Sequence, residues 1–169
     1  HPVFYEVAGN IYQGTPMDVT WRGALLSQAG IEAVWHVPCG GFPYGDESLL
    51  YIANDWHTAL LPVYLRAFYQ EHMKLGYARS VLVVHNIAHQ GRASCDEVWR
   101  LGLPDHHTGA FYLDDPMEGA CMNVMKAGIE YATKVINHAE KGGRNTLPLR
   151  KAAREGAGGG LGPVQAHHL

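Results

Sequence analysis

Leu49-Leu50-Tyr51-Ile52-Ala53 and Ser80-Val81-Leu82-Val83-Val84-His85 are the two runs that decide the fold. Each is short and apolar, the second is rich in β-branched residues, and both read as buried strands of a parallel sheet. Between them, Leu60, Leu61, Val63, Tyr64, Leu65, Ala67 and Phe68 nearly encircle a helix expected over residues 58–74. Pro62 falls near its start, where a missing N–H matters least, and Gly76 is expected to end it. Strand, helix and strand at this spacing form a βαβ unit, hence an α/β fold with a right-handed crossover.

Upstream, Leu25, Leu26, Ala29 and Ala33 recur at helical spacing after Asp18, a candidate N-cap. This predicts a helix over 17–34, stopped by Val34-Trp35 and Pro38 and followed by a Gly/Pro-dense loop over 38–46. Downstream, a helix is expected over 120–131, leading into a strand at Thr133-Lys134-Val135-Ile136. Beyond Lys141 the pattern stops, and no internal repeat is evident.

Charge divides the 169 residues at the same place. Residues 1–140 carry 8 basic and 15 acidic side chains, net −7, whereas residues 141–169 carry 5 basic and 1 acidic, net +4. The second stretch holds 7 of the 20 glycines and no aromatic residue. It is expected to be a disordered basic tail on a globular body over 1–140. Three scattered cysteines (Cys39, Cys95 and Cys121) argue for a reducing compartment rather than a disulfide scaffold. No apolar run approaches the roughly 20 residues of a membrane span, and an acidic body lacks the basic stripe of a nucleic-acid binder. The chain does not begin with Met, so it is expected to start within a longer protein.

In open α/β sheets, ligands bind at the carboxyl ends of the strands. The first strand ends in Asn54-Asp55-Trp56-His57 and the second in His85-Asn86-Ile87-Ala88-His89-Gln90-Gly91, so two polar clusters share one rim. Asp55, His57, His85 and Asn86 can converge there on one ligand, with Gly91 and Gly40-Gly41 allowing close backbone approach. Three readings stand side by side. The rim binds a sugar or nucleotide by hydrogen bonds. Alternatively, Asp55, His57, His85 and His89 ligate a metal, as in a hydrolase. In the blandest reading, Asn54 or Asp55 simply caps the following helix. A Cys39–His57 nucleophile is also conceivable. Elsewhere the bland reading leads: His106-His107 in a solvated loop, His36 packed at a strand end, His72 late in the helix, most tryptophans in the core, and Lys126 exposed on a helix.

Tyr51-Ile52-Ala53-Asn54-Asp55-Trp56-His57-Thr58-Ala59-Leu60-Leu61-Pro62-Val63-Tyr64-Leu65 resembles a block of plant and algal soluble starch synthases, most closely the class-two isoforms. Ser80 through Gly91 is similar to the next block, and Trp35 to Gly41, Tyr44-Gly45-Asp46, Lys126-Ala127-Gly128 and Tyr131-Ala132 agree in order, so the resemblance covers about residues 1–136.

The resemblance implies a Rossmann-like parallel sheet in the N-terminal half of a GT-B glycosyltransferase. The implied reaction moves glucose from ADP-glucose to the non-reducing end of an α-1,4-glucan, with retention and without a metal or other cofactor. By that resemblance His85, Asn86 and Asp55 are catalytic, while Trp56, His57, His89, Gln90 and Tyr12 bind substrate. His85 matches the histidine that contacts the transferred glucose; Asp55 and His57 match an Asp-Trp-His on the acceptor side. His89 stands where bacterial relatives more often carry Tyr. An oxocarbenium-like sugar needs placed hydrogen bonds and electrostatics, which suits such a rim. The implied setting is the plastid, in complexes with other starch-building enzymes, with no nucleic-acid or membrane partner.

Departures shape the expectation further. The family's Lys-x-Gly-Gly-Leu motif is absent, and Gly159-Gly160-Leu161-Gly162 matches it only superficially, at the wrong end and without Lys. The second domain, with the cations that hold the diphosphate, is missing, and residues 1–140 offer no equivalent cluster. The expectation is a fragment inactive by itself, with a glucan- or partner-binding remnant as the alternative and a metal-dependent hydrolase behind it.

Overall fold

The computed structural model describes residues 1–7, 9–38, 45, 48–115 and 119–137. Cys39 and the Gly40-Gly41 pair of the 38–46 loop, and the tail over 141–169, lie outside the described residues.

After a short helix α1 (Pro2–Tyr5), the chain enters α2 (Pro16–His36). Its start is a reciprocal capping box. The Asp18 N–H donates to Thr15 Oγ1 at 3.2 Å, and the Thr15 N–H donates back to Asp18 Oδ2 at 2.9 Å. Thr15, not Asp18, is therefore the N-cap, and Pro16 occupies the first turn. The helix also runs through Val34-Trp35 instead of stopping there, because Val34 is buried and Trp35 stacks on Tyr69, 5.8 Å between ring centres. His36 is consequently an exposed helix end beside Glu32, not a packed strand end.

Strands β1 (Leu50–Asn54) and β2 (Arg79–Val84) pair in parallel, Tyr51 opposite Ser80 and Asn54 opposite Val83. The last strand, β6 (Lys134–Asn137), pairs in parallel with β2, giving the order β1-β2-β6. The sheet is not buried on both faces. Tyr51, Ala53, Leu82 and Val84 join the core, whereas Leu50 and Ile52 are each 61% exposed. Among the described residues, only one face has a helical layer against it.

The long helix is compound. It opens as a 3-10 turn (Trp56–Thr58), continues as α3 (Leu60–Tyr64), widens into a π turn (Leu65–Tyr69) and closes as a 3-10 turn (Gln70–His72). A π turn shifts the side-chain register by one position, which suits a helix buried nearly all round. It ends at Met73 in the left-handed conformation (φ 58°), three residues before Gly76.

A second, antiparallel sheet was invisible to periodicity. It comprises β3 (Arg92–Ala93), β4 (Tyr112–Asp115) and β5 (Gly119–Asn123) in the order β3-β5-β4; a short helix α4 (Asp105–Thr108) precedes β4. The expected helix over 120–131 is thus a strand followed by α5 (Val124–Tyr131). The switch occurs at Asn123, whose side chain caps α5 by accepting from the Lys126 N–H at 2.8 Å. Lys126 is buried, not exposed, and its Nζ donates to Ala110 O at 2.8 Å beside Glu130. One core unites Met17, Ala24 and Ile31 of α2, Leu60, Val63 and Tyr64 of α3, Leu82 and Val84 of β2, and Met125 and Ala127 of α5.

Candidate functional site

Both polar clusters do follow strand ends on the same rim. Asp55 leaves β1 with φ 53° and ψ −173°, a conformation outside the regions open to ordinary side chains, which stores on the order of 1–3 kcal/mol. Its carboxylate shows why the strain persists. Oδ1 accepts from the His85 N–H at 2.8 Å and the Asn86 N–H at 3.1 Å, while the Asp55 N–H donates to Val83 O at 2.8 Å. Asp55 makes no side-chain cap on the following turn, which removes it from the capping reading. It clamps the two strand ends together instead.

His85 and Asn86 are exposed beyond that clamp. The His85 Nε2–H donates to Asn54 Oδ1 at 3.0 Å. Asn86 Oδ1 accepts from the Ala88 N–H at 3.0 Å, closing a turn toward His89. Asn54 is fixed in turn by Thr58: its N–H donates to Thr58 Oγ1 at 2.6 Å, and the Thr58 hydroxyl donates to its carbonyl at 2.8 Å.

A second group stands beside the first. His57 Nε2 lies 3.0 Å from the Tyr12 hydroxyl, the two rings meet edge-on at 5.6 Å, and Trp56 lies against His57 at 4.2 Å. Burial holds the His57 imidazole below its ordinary 6.5, with Asp55 opposing and His89 adding to the shift. The imidazole is therefore neutral at neutral pH, free to donate or accept.

An open groove of about 700 Å³ runs past this group, lined by Tyr12, Trp56, His89 and Gln90 together with Gly14, Pro16, Val19, Ala88, Gly91 and Arg92. Four of the five expected substrate-binding residues thus line it. His85, Asn86 and Asp55 sit at the strand ends outside that lining. Aromatic faces beside amide and imidazole groups suit a hydroxyl-rich, partly apolar ligand such as a sugar. The metal reading fails here: among the described residues, Asp55, His57, His85 and His89 do not gather as a ligand set.

Residues that sequence reasoning passed over hold the site in place. Arg22, buried in mid-α2, donates through Nη2 to Ile11 O at 2.9 Å and also to Gln13 O, fixing the segment that carries Tyr12. A lone basic residue among apolar helix positions was the available signal. Gly23 lets α2 lie directly on the His57 backbone, since a Cβ there would come within 2.6 Å of His57 O. Gly91, at φ +66°, lines the groove and packs against Trp56: a Cβ would meet the indole at 2.4 Å. Gln90 accepts from Asn123 Nδ2 at 2.6 Å, and the carbonyls of Gln90 and Gly91 accept from the Met125 and Val124 N–H groups. The His89-Gln90 turn is thereby tied to the start of α5.

Comparison with known proteins converges. Residues 1–140 match the family described as starch synthase catalytic domain. Starch synthase 2, chloroplastic/amyloplastic, of Arabidopsis thaliana is 49% identical over 135 residues, 80% of this chain and 17% of that protein. Soluble starch synthase 2-1 of Oryza sativa subsp. japonica is 49% identical over 136 residues, 80% of this chain and 18% of that protein. Among solved structures, the catalytic domain of starch synthase IV from Arabidopsis thaliana, bound to ADP and acarbose, superposes with a TM-score of 0.57 and 25% identity. That superposition covers 80% of this chain and 26% of the other. The chain therefore spans under a fifth of the length of these two curated relatives. With its parallel β1-β2-β6 sheet and flanking helices as part of the Rossmann-like half of a GT-B fold, the chain belongs to the starch synthase catalytic-domain family.

Proposed function

We propose that this chain supplies the acceptor-side wall of a starch synthase, which moves glucose from ADP-glucose to the non-reducing end of an α-1,4-glucan with retention. The observation that carries the reading is the strand-end clamp, Asp55 on the His85 and Asn86 N–H groups, set beside the groove lined by Tyr12, Trp56, His89 and Gln90. In it, His85 and Asn86 position the transferred glucose, and Asp55 acts by holding both. Tyr12, Trp56, His57, His89 and Gln90 receive the glucan end. The plastid is the proposed location, in line with the chloroplastic/amyloplastic names of the relatives. ADP-glucose and an α-glucan are the proposed small-molecule partners, consistent with a solved relative carrying ADP and acarbose. No cofactor is invoked, and complexes with other starch-building enzymes are proposed.

Cations for the donor diphosphate are expected from sequence beyond residues 1–140. A chimera tests the assignment. Residues 1–136 replace the matching segment of the Arabidopsis starch synthase 2, and glucose incorporation from labelled ADP-glucose into glycogen is measured. The chimera is expected to transfer glucose and its His85→Ala variant to lose transfer, whereas this chain alone incorporates none. A folded chimera without transfer, or one indifferent to His85→Ala, overturns the proposal.

A further inference from the structure

At the other end of the parallel sheet, Glu71, His106 and His107 form a constellation that the sugar site does not use. Glu71 lies in the turn closing the long helix, and the two histidines lie on α4. Nε2 of His106 is 3.2 Å from Glu71 Oε2, and Nε2 of His107 is 3.1 Å from the same oxygen. All three ligand atoms fall within 4.8 Å of one another. The loop reading of this pair is corrected for one member: His107 is 2% exposed, while His106 is open to solvent.

Consecutive residues on a helix ordinarily point apart. Here the two imidazoles lie 4.0 Å apart between centres, tilted by 41°, and both Nε2 atoms approach one carboxylate oxygen. The other oxygen, Oε1, faces Arg66 Nε at 3.9 Å, which leaves Oε2 to the histidines. The far nitrogen of His107, Nδ1, is 2.7 Å from the Tyr131 hydroxyl. Metal-ligating histidines are held in this way, with the second ring nitrogen donated to an oxygen that fixes tautomer and orientation. At Zn–N and Zn–O distances of 2.0–2.1 Å, ligand atoms of a tetrahedral zinc lie about 3.3 Å apart. Two of the three edges already have that length.

We propose that Glu71, His106 and His107 form a zinc site, with Tyr131 orienting His107 and water in the fourth, solvent-facing position. Two imidazoles and one carboxylate are a donor set that suits Zn²⁺ over the harder Mg²⁺ or Ca²⁺. The ion staples the end of the long helix to α4 and, through Tyr131, to the end of α5. The site lies apart from the sugar groove, so its occupation is expected to be independent of glucose transfer.

Zinc chloride titrated into the purified chain tests this by calorimetry and thermal melting. The background is His167→Ala/His168→Ala, which removes the tail's own imidazoles. The expected result is one zinc per chain, a raised Tm, and at least tenfold weaker binding in His106→Gln and in Glu71→Gln. His106 is exposed, so His106→Gln leaves the fold intact. Cobalt(II) is expected to give the intense visible bands of a four-coordinate site, and ¹⁵N spectra to show His107 protonated at Nδ1 when zinc is bound. Equal zinc affinity in the parent and both variants overturns the site, as does His107 protonated at Nε2 with zinc present.

Discussion

The two ends of the parallel sheet are built on different plans. At the carboxyl ends, Asp55, His85 and Asn86 follow directly from β1 and β2, and a single carboxylate reaching backbone N–H groups joins them. At the amino ends, Glu71, His106, His107 and Tyr131 come from three elements far apart in sequence and meet only through side chains. The first cluster is placed by the pairing of β1 with β2, so its residues come together once that pair forms. The second exists only once α4 and α5 have docked on the long helix. The proposed sugar site at the strand ends and the proposed metal site at the opposite end are separated accordingly.

The largest expected effect strikes the packing beneath the first cluster. Gly23→Val pushes a branched side chain into His57 O and should destabilise the chain by about 3 kcal/mol in urea unfolding, abolishing the retention on an amylopectin column that the proposed acceptor wall predicts for the parent chain. Next, Asp55→Ala removes two charge-assisted bonds, an expected loss of about 2 kcal/mol. Asp55→Gly also removes them but relieves the strained backbone, and should be about 1 kcal/mol more stable than Asp55→Ala. If the two variants unfold alike, strain is no part of the clamp.

His107→Ala breaks the comparison from the other side. It should cost about 1.5 kcal/mol in the same unfolding assay, because the partners on Glu71 and Tyr131 are lost. Retention on an amylopectin column should stay unchanged, since none of these residues lines the groove. Loss of retention in a folded His107→Ala protein means the two ends are coupled.

Titration gives a finer test. Burial depresses the His57 value, so its contribution to stability is complete above 6.5 and is lost as pH falls through the lower folded value. Imidazole NMR should find His57 titrating below 6.5, and His57→Gln should flatten that part of the pH–stability curve. The smallest stability effect belongs to Tyr12→Phe. It deletes one exposed hydrogen bond, so unfolding should shift by no more than about 0.5 kcal/mol while glucan retention weakens.

What could be read in advance follows the same division. The β1–helix–β2 unit and β6 were legible because short apolar runs on either side of a helical pattern mark parallel strands, although alternate residues of β1 face solvent. The antiparallel sheet was not: Arg92–Ala93 is two residues long, and Gly119–Asn123 joins α5 without a break in its apolar pattern. At the site, Tyr12, Trp56, His89 and Gln90 line one groove, a meeting of separate segments that spacing alone does not show. Arg22 escaped notice because its partners are backbone carbonyls of a segment with no regular structure.

By itself, the sequence determined the parallel α/β unit, the rim on which the polar residues stand and the family to which they belong. These follow from local pattern and from motifs whose residues are neighbours in the chain. Only the tertiary structure decided that Asp55 is a clamp instead of a cap, and that Lys126 and His107 are buried. It also decided that two adjacent histidines converge on Glu71. The reason is physical: a polar side chain is satisfied by whatever partner packing brings within about 3 Å, and those partners lie 16 to 36 residues away.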